Sequence, residues 1–224
     1  MNASLIQLPG DYGPRIGAWL CEASAPCRGS VVVVQEIYGA NSHIREVLVD
    51  YASAGFTALA PCFFDHIERG IELNYDADGT QRGREMVAQL GVDTPLRHVA
   101  AAAEYLAGDN GVGVVGYCWG GAIAYLSATR LGLPAVSYYG RLVEQYLHEK
   151  PQAALQFHFG ELDELIPMSS VDRVGAANPR SELYTYPAGH AFNRVGDSHG
   201  HAPSAQLARQ RAHSFFAQQL ATRQ

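Results

Sequence analysis

The sequence predicts an α/β fold: a mostly parallel central sheet covered by helices on both faces, with an antiparallel hairpin at the N-terminus. Three observations predict it. Short apolar runs alternate with helix-like segments along nearly the whole chain, as expected of parallel strands joined by crossover helices. Val31 to Val34 is wholly β-branched, which suits a strand buried on both faces. Val112 to Ala128 runs from an apolar strand through Gly116-Tyr117-Cys118-Trp119-Gly120-Gly121 into a small-residue helix, a strand–turn–helix built on Gly-x-Cys-x-Gly.

The elements follow in order. Ser4 to Leu8 and Ile16 to Cys21 read as strands split by turn-rich Pro9-Gly10-Asp11-Tyr12-Gly13-Pro14. Val31 to Val34 leads into Gln35-Glu36-Ile37-Tyr38-Gly39, after which Asn41 or Ser42 can cap a helix reaching about Ala54. Phe56 to Ala60 is a strand stopped by Pro61, and Cys62 to Thr80, without a clear period, reads as a long excursion over the sheet edge. Helices are expected from about Gln81 to Leu90 and from Pro95 to Ala107. The Val112 strand and its helix follow, the helix ending near Arg130. Ala135 to Tyr139, Ala153 to Phe159 and Glu182 to Tyr186 complete the strands; Met168 to Ala177 and Pro203 to Thr222 complete the helices.

At 224 residues the chain suits one large domain spanning 1–224. Hydrophobic residues at 47% and charged residues at 17% describe an ordinary globular composition. A net charge of −6 argues against a nucleic-acid partner or an anionic membrane surface. Met1 to Arg15 carries no basic-plus-apolar leader, and no apolar run approaches the roughly 18 residues of a membrane span. Four cysteines at irregular spacing, with no Cys-x-x-Cys, predict neither a zinc site nor a disulfide framework; a cytoplasmic protein with reduced thiols is expected.

The chemistry centres on Cys118. Glycines two residues to either side let strand and helix approach closely around a strained central residue. The helix start would turn its positive dipole end toward the sulfur, and its amides, beginning with that of Trp119, could hold an oxyanion. A thiol nucleophile needs a base, and the base needs a carboxylate to fix its tautomer. In parallel sheets such groups gather beyond the carboxyl ends of the strands, where Glu36, Cys118, Asp163 and His190 all fall. Of the nine histidines only His190 has a strand-end Gly-His setting; His43, His66, His98, His148, His158 and His213 read as surface or packing residues. His199 and His201 form a His-x-His without a matched third ligand, so no metal is expected.

Gly116-Tyr117-Cys118-Trp119-Gly120-Gly121, Gln35-Glu36-Ile37-Tyr38-Gly39 and Gly189-His190-Ala191-Phe192 together resemble the dienelactone hydrolase family (carboxymethylenebutenolidases) of the α/β-hydrolase superfamily, and the likeness covers nearly the whole chain. The resemblance implies Cys118 as nucleophile, His190 as base and Asp163 as its orienting acid. It implies that Glu36 hydrogen-bonds the resting thiol and accepts its proton when substrate binds, and that the N–H groups of Trp119 and Ile37 hold the oxyanion. The implied substrate is an unsaturated lactone bearing a carboxylate, opened through a thioacyl-enzyme without a cofactor. Arg194 falls at one carboxylate-binding position of the family; Arg82 and Arg84 compete for the other, each equally readable as a solvated helix-start residue. Tyr38 and Trp119 would shape the pocket. The implied oligomeric state is a monomer. Two rival readings remain: a broad esterase or thioesterase of the same fold, and a non-catalytic redox or ligand-binding protein.

Overall fold

The computed structural model describes residues 2–8, 15–24 and 26–221. Eight strands form one sheet: β1 (Ser4–Gln7), β2 (Gly17–Cys21), β3 (Ser30–Val34), β4 (Thr57–Pro61), β5 (Val112–Tyr117), β6 (Ala135–Tyr138), β7 (Leu155–Gly160) and β8 (Glu182–Tyr186). Their spatial order is β1-β2-β4-β3-β5-β6-β7-β8. β1 and β2 pair antiparallel with each other, and β2 pairs antiparallel with β4; every pairing from β4 through β8 is parallel. The expected hairpin is present, while its Pro9–Pro14 connection lies outside the described residues.

Among the described residues six α-helices accompany the sheet: α1 (Ser42–Ser53), α2 (Ala77–Leu90), α3 (Asp93–Tyr105), α4 (Trp119–Leu126), α5 (Met168–Ala177) and α6 (Ala202–Gln219). Asn41 caps α1 by accepting from the Ile44 N–H at 3.3 Å. All eight residues of α4 are buried, so this helix lies inside the molecule rather than on its skin. It runs on into a π-helical turn over Ser127–Leu131, closed by Gly132 in the left-handed conformation. Thr222, where the sequence places the last helix end, lies outside the described residues, and α6 stops at Gln219.

One boundary differs from expectation in a way that matters. α2 begins at Ala77, not near Gln81, because Asp76 caps it by accepting from the Gly79 N–H at 2.7 Å. The first turn, Ala-Asp-Gly-Thr, resembles a loop in composition, and the cap rather than the propensity decides it. The long excursion is therefore shorter than expected and includes a 3₁₀ turn over Phe63–His66.

The strand order reverses direction around β3 and β5, the place where an open parallel sheet leaves a crevice at its carboxyl edge. Register then sets the neighbours. Val34 pairs with Gly116, so Glu36 and Cys118 each stand two residues beyond paired positions on adjacent strands. Gly160 pairs with Tyr186, which puts the Asp163 and His190 loops side by side in the same way.

Candidate active site

Cys118 sits between β5 and α4 with φ 54° and ψ −115°, a conformation rarely adopted by a residue with a side chain. Close packing holds it there. A Cβ on Gly116 would overlap the Gly120 carbonyl, and one on Gly120 would overlap the backbone of Val34 and Gln35. The second contact ties the turn directly to the segment that carries Glu36 and Ile37. Trp119 is the first residue of α4, so its N–H has no acceptor within the helix.

His190 donates from Nδ1 to Asp163 Oδ2 at 2.7 Å. The other carboxylate oxygen, Asp163 Oδ1, accepts from the Leu165 and Ile166 N–H groups at 2.8 and 3.1 Å, which fixes the acid. The two loops are laced together by backbone bonds from Glu161 N to Tyr186 O (2.8 Å) and from Leu162 N to Ala188 O (3.0 Å). Burial disfavours a charged imidazole here, but the bond to Asp163 and the neighbouring Cys118 sulfur outweigh it and push His190 up to about 10. Nε2 of His190, the ring nitrogen not engaged by Asp163, is buried.

Glu36 is buried, and that burial raises its carboxyl above the usual range against the opposing pull of Arg194 and His190. No hydrogen bond joins it to the Cys118 sulfur among the described residues; its Oε2 lies 3.8 Å from Arg194 Nε. Glu36 and Cys118 line the same cavity, and the cation beside the carboxylate is Arg194. Arg194 Nε also lies 3.2 Å from Asp197 Oδ2. Its guanidinium carbon stands 4.1 Å from the Tyr75 ring centre and 5.7 Å from that of Tyr38.

These groups line a cavity of about 300 Å³ containing Glu36, Cys118, His190 and Arg194, with Ile37, Tyr38 and Trp119 on its walls. Asp163 stands behind His190 rather than on the wall. A larger depression of about 680 Å³ lies by Pro134 and Leu155 at the amino ends of β6 and β7, and none of these groups reaches it. Size does not locate the chemistry in this fold.

The two competing arginines separate cleanly. Both are exposed, but Arg84 lines the cavity whereas Arg82 pairs with Glu68 at 2.7 Å. They are two residues apart on α2, about 200° around the helix, so only one can face the site. Gly83 between them fixes the phase of the helix: a Cβ there would overlap the Ile37 carbonyl, so α2 packs directly on the Glu36 segment. Tyr38 is anchored by a 3.0 Å hydroxyl bond to Thr80. Among the residues that escaped the sequence reading, three carry polar or charged groups close to Arg194 or on the cavity wall. Tyr75 and Asp197 lie beside Arg194, and Arg141 lines the cavity from the turn after β6. All three belong to irregular segments, and only the Gly140-Arg141 pair at a strand end offered a positional signal.

The sequence profile of the dienelactone hydrolase family matches residues 16–220. The chain belongs to the dienelactone hydrolase family. Within reach of this family assignment, a carboxymethylenebutenolidase of Pseudomonas sp. strain P51 is 34% identical over 206 residues, covering 85% of this chain and 84% of that one. A carboxymethylenebutenolidase of Pseudomonas putida is 31% identical over 218 residues, covering 92% of this chain and 91% of its own. Among solved structures, a Klebsiella pneumoniae protein assigned to the dienelactone hydrolases superposes with a TM-score of 0.85 at 27% identity, over 96% of this chain and 98% of that one. A Pyrococcus furiosus esterase shares the fold at a TM-score of 0.72 and 14% identity, over 97% of this chain and 92% of that one. The dienelactone hydrolase fold is the α/β-hydrolase fold, and the sheet order and hairpin described above are its form here. No helix among the described residues is long and apolar enough to cross a membrane.

Proposed function

We propose that this protein opens a carboxylated, unsaturated lactone of the dienelactone type through a thioacyl-enzyme on Cys118. The observation that carries the reading is the meeting of a strained strand-end cysteine, an Asp163-bonded His190 and an Arg194-paired buried Glu36 around one cavity. Arg194 and Arg84 are the guanidiniums suited to the substrate carboxylate, each able to meet it with two parallel hydrogen bonds.

The chemistry follows from the charges. A carboxylate binding to Arg194 competes with Glu36 for it, and a buried carboxylate with less compensation is a stronger base. Glu36 then takes the Cys118 proton and the sulfur attacks the lactone carbonyl. The Trp119 and Ile37 N–H groups receive the oxyanion. The carbonyl–oxygen bond of the ring breaks, and His190, held protonated by Asp163, gives its proton to the departing oxygen. The neutral imidazole next draws a proton from water as the water oxygen attacks the thioester. The sulfur leaves, regains its proton from Glu36, and the acid product departs.

Turnover of dienelactone and of 4-nitrophenyl acetate by the wild type and by Cys118→Ala tests this. The expected result is a preference for dienelactone and loss of both activities in the variant. A large preference for the simple ester supports a broad esterase instead, and activity surviving in Cys118→Ala removes the cysteine mechanism.

A further inference from the structure

The cavity wall carries three arginines, Arg84, Arg141 and Arg194, against a single acid, Glu36. Their charges are not equally spent. Arg194 is offset by Glu36 at 3.8 Å and Asp197 at 3.2 Å. Arg84 and Arg141 are exposed on the wall and form no ion pair among the described residues. Two uncompensated guanidiniums at one small cavity are a field for anions, and one carboxylate engages only part of it.

Arg84 and Arg141 come from different walls, the first from α2 and the second from the turn after β6, and apolar Val87, Leu142 and Leu165 line the same cavity. The backbone of the second wall is firmly placed. A Cβ on Gly121 would stand 2.7 Å from Gly140 Cα, so the Gly140-Arg141 turn packs against the helix that begins beside Cys118. The backbone at Arg141 is thereby held next to α4, and its side chain lines the same cavity as Cys118.

We infer that the substrate carries two anionic groups flanking an apolar body, and that Arg141 is the specificity-determining residue that receives the second one. The inference rests on the hydrolase reading above and narrows it. Arg194 and Arg84 would meet the first carboxylate, and Arg141 would select against substrates that lack another.

Three activated esters test it: the mono-4-nitrophenyl esters of acetic acid, glutaric acid and propane-1,2,3-tricarboxylic acid, which carry no, one and two free carboxylates. KM and kcat are measured for the wild type, Arg141→Gln, Arg141→Lys and, as a charge control outside the cavity, Arg82→Gln. In the wild type KM is expected to fall along the series. Arg141→Gln should raise KM for the doubly charged ester about tenfold, the scale of one hydrogen bond between charged groups, with less than about twofold change for the acetate. Arg141→Lys should restore part of the preference and Arg82→Gln should leave it intact. A wild type without preference for the second carboxylate, or an Arg141→Gln effect equal across the three esters or matched by Arg82→Gln, overturns the inference. Calorimetric binding of propane-1,2,3-tricarboxylate and glutarate to Cys118→Ala separates the two failures. If no ester is hydrolysed, the hydrolase reading fails, and tighter binding of the tricarboxylate that Arg141→Gln abolishes still sustains the anion site. Equal binding of the two acids overturns it.

Discussion

Replacing Cys118 by glycine and, separately, by alanine gives a direct measure of the strain at the turn. Alanine keeps a Cβ at φ 54°, ψ −115°; glycine removes it. A non-glycine residue in such a sparsely populated region costs about 1–3 kcal/mol, whereas glycine in regular structure is normally about 0.5–1 kcal/mol worse than alanine. The strain term exceeds the entropy term here, so the usual order reverses and Cys118→Gly should be more stable than Cys118→Ala by about 1 kcal/mol. Both variants lose the sulfur, so its half-buried contacts cancel in the comparison. Urea unfolding reads the difference as a shift in midpoint of about 0.4 M, for a denaturant slope near 2.5 kcal/mol/M. Neither variant should turn over substrate. An alanine variant as stable as the glycine variant, or more so, would refute the claim that the backbone at Cys118 stores strain.

Other perturbations address the remaining groups. Asp163→Asn removes the acceptor that holds His190 at about 10, and should lower kcat by roughly 10³-fold or more while the Leu165 and Ile166 N–H bonds keep the loop in place. The same variant should lose the part of stability that His190 supplies below its unfolded pKa of 6.5 and that fades in the wild type as pH rises through about 10, measurable as Tm against pH. Gly83→Ala forces α2 off the Ile37 carbonyl, and should raise KM for a carboxylated substrate and lower Tm together, whereas Gly91→Ala, with open space around it but φ 63°, should lower Tm alone. His158 is buried between Tyr186 and Gln156 and its pKa falls to about 3 through burial, with a smaller push from Arg211; its share of stability is lost as pH falls from 6.5 toward 3. At pH 5 that loss is about 2 kcal/mol, and urea titrations of His158→Gln should show a correspondingly flatter acid limb.

The placement of the central groups was legible because glycine marks it. Gly116 and Gly120 bracket Cys118, and Gly189 precedes His190; each sits where a strand ends, so local pattern and global topology coincide. Register does the rest, since pairing of Val34 with Gly116 is enough to make Glu36 and Cys118 neighbours. What escaped the sequence shares a different physical cause. Arg82 and Arg84 are chemically identical, and only the phase of α2, set by the Asp76 cap and by Gly83 against Ile37, distinguishes them. Tyr75 reaches Arg194 through an irregular stretch whose path no periodicity encodes, and its phenol is held by the Asn41 amide at 2.9 Å. Burial and the nearby Glu36 push that phenol up to about 12, so it stays neutral beneath the guanidinium. Contacts of that kind are tertiary facts.

The Glu36–Arg194–Asp197 group explains why such a costly arrangement survives in the fold. Glu36 Oε2, Arg194 Nε and Nη1 and Asp197 Oδ2 are all buried without a hydrogen bond among the described residues. The charges attract one another at 3.2 and 3.8 Å but do not close the geometry that would satisfy them. A half-satisfied buried network destabilises a protein more than an apolar replacement would, so packing alone does not account for it. In the proposed reaction an incoming carboxylate would supply the acceptors that Arg194 lacks and remove the partner that restrains Glu36. The same event therefore improves the solvation of one buried charge and increases the basicity of the other. In that proposal binding and activation are coupled through a single guanidinium, and a neutral ester, having no carboxylate to offer Arg194, would be turned over more slowly than a carboxylated one.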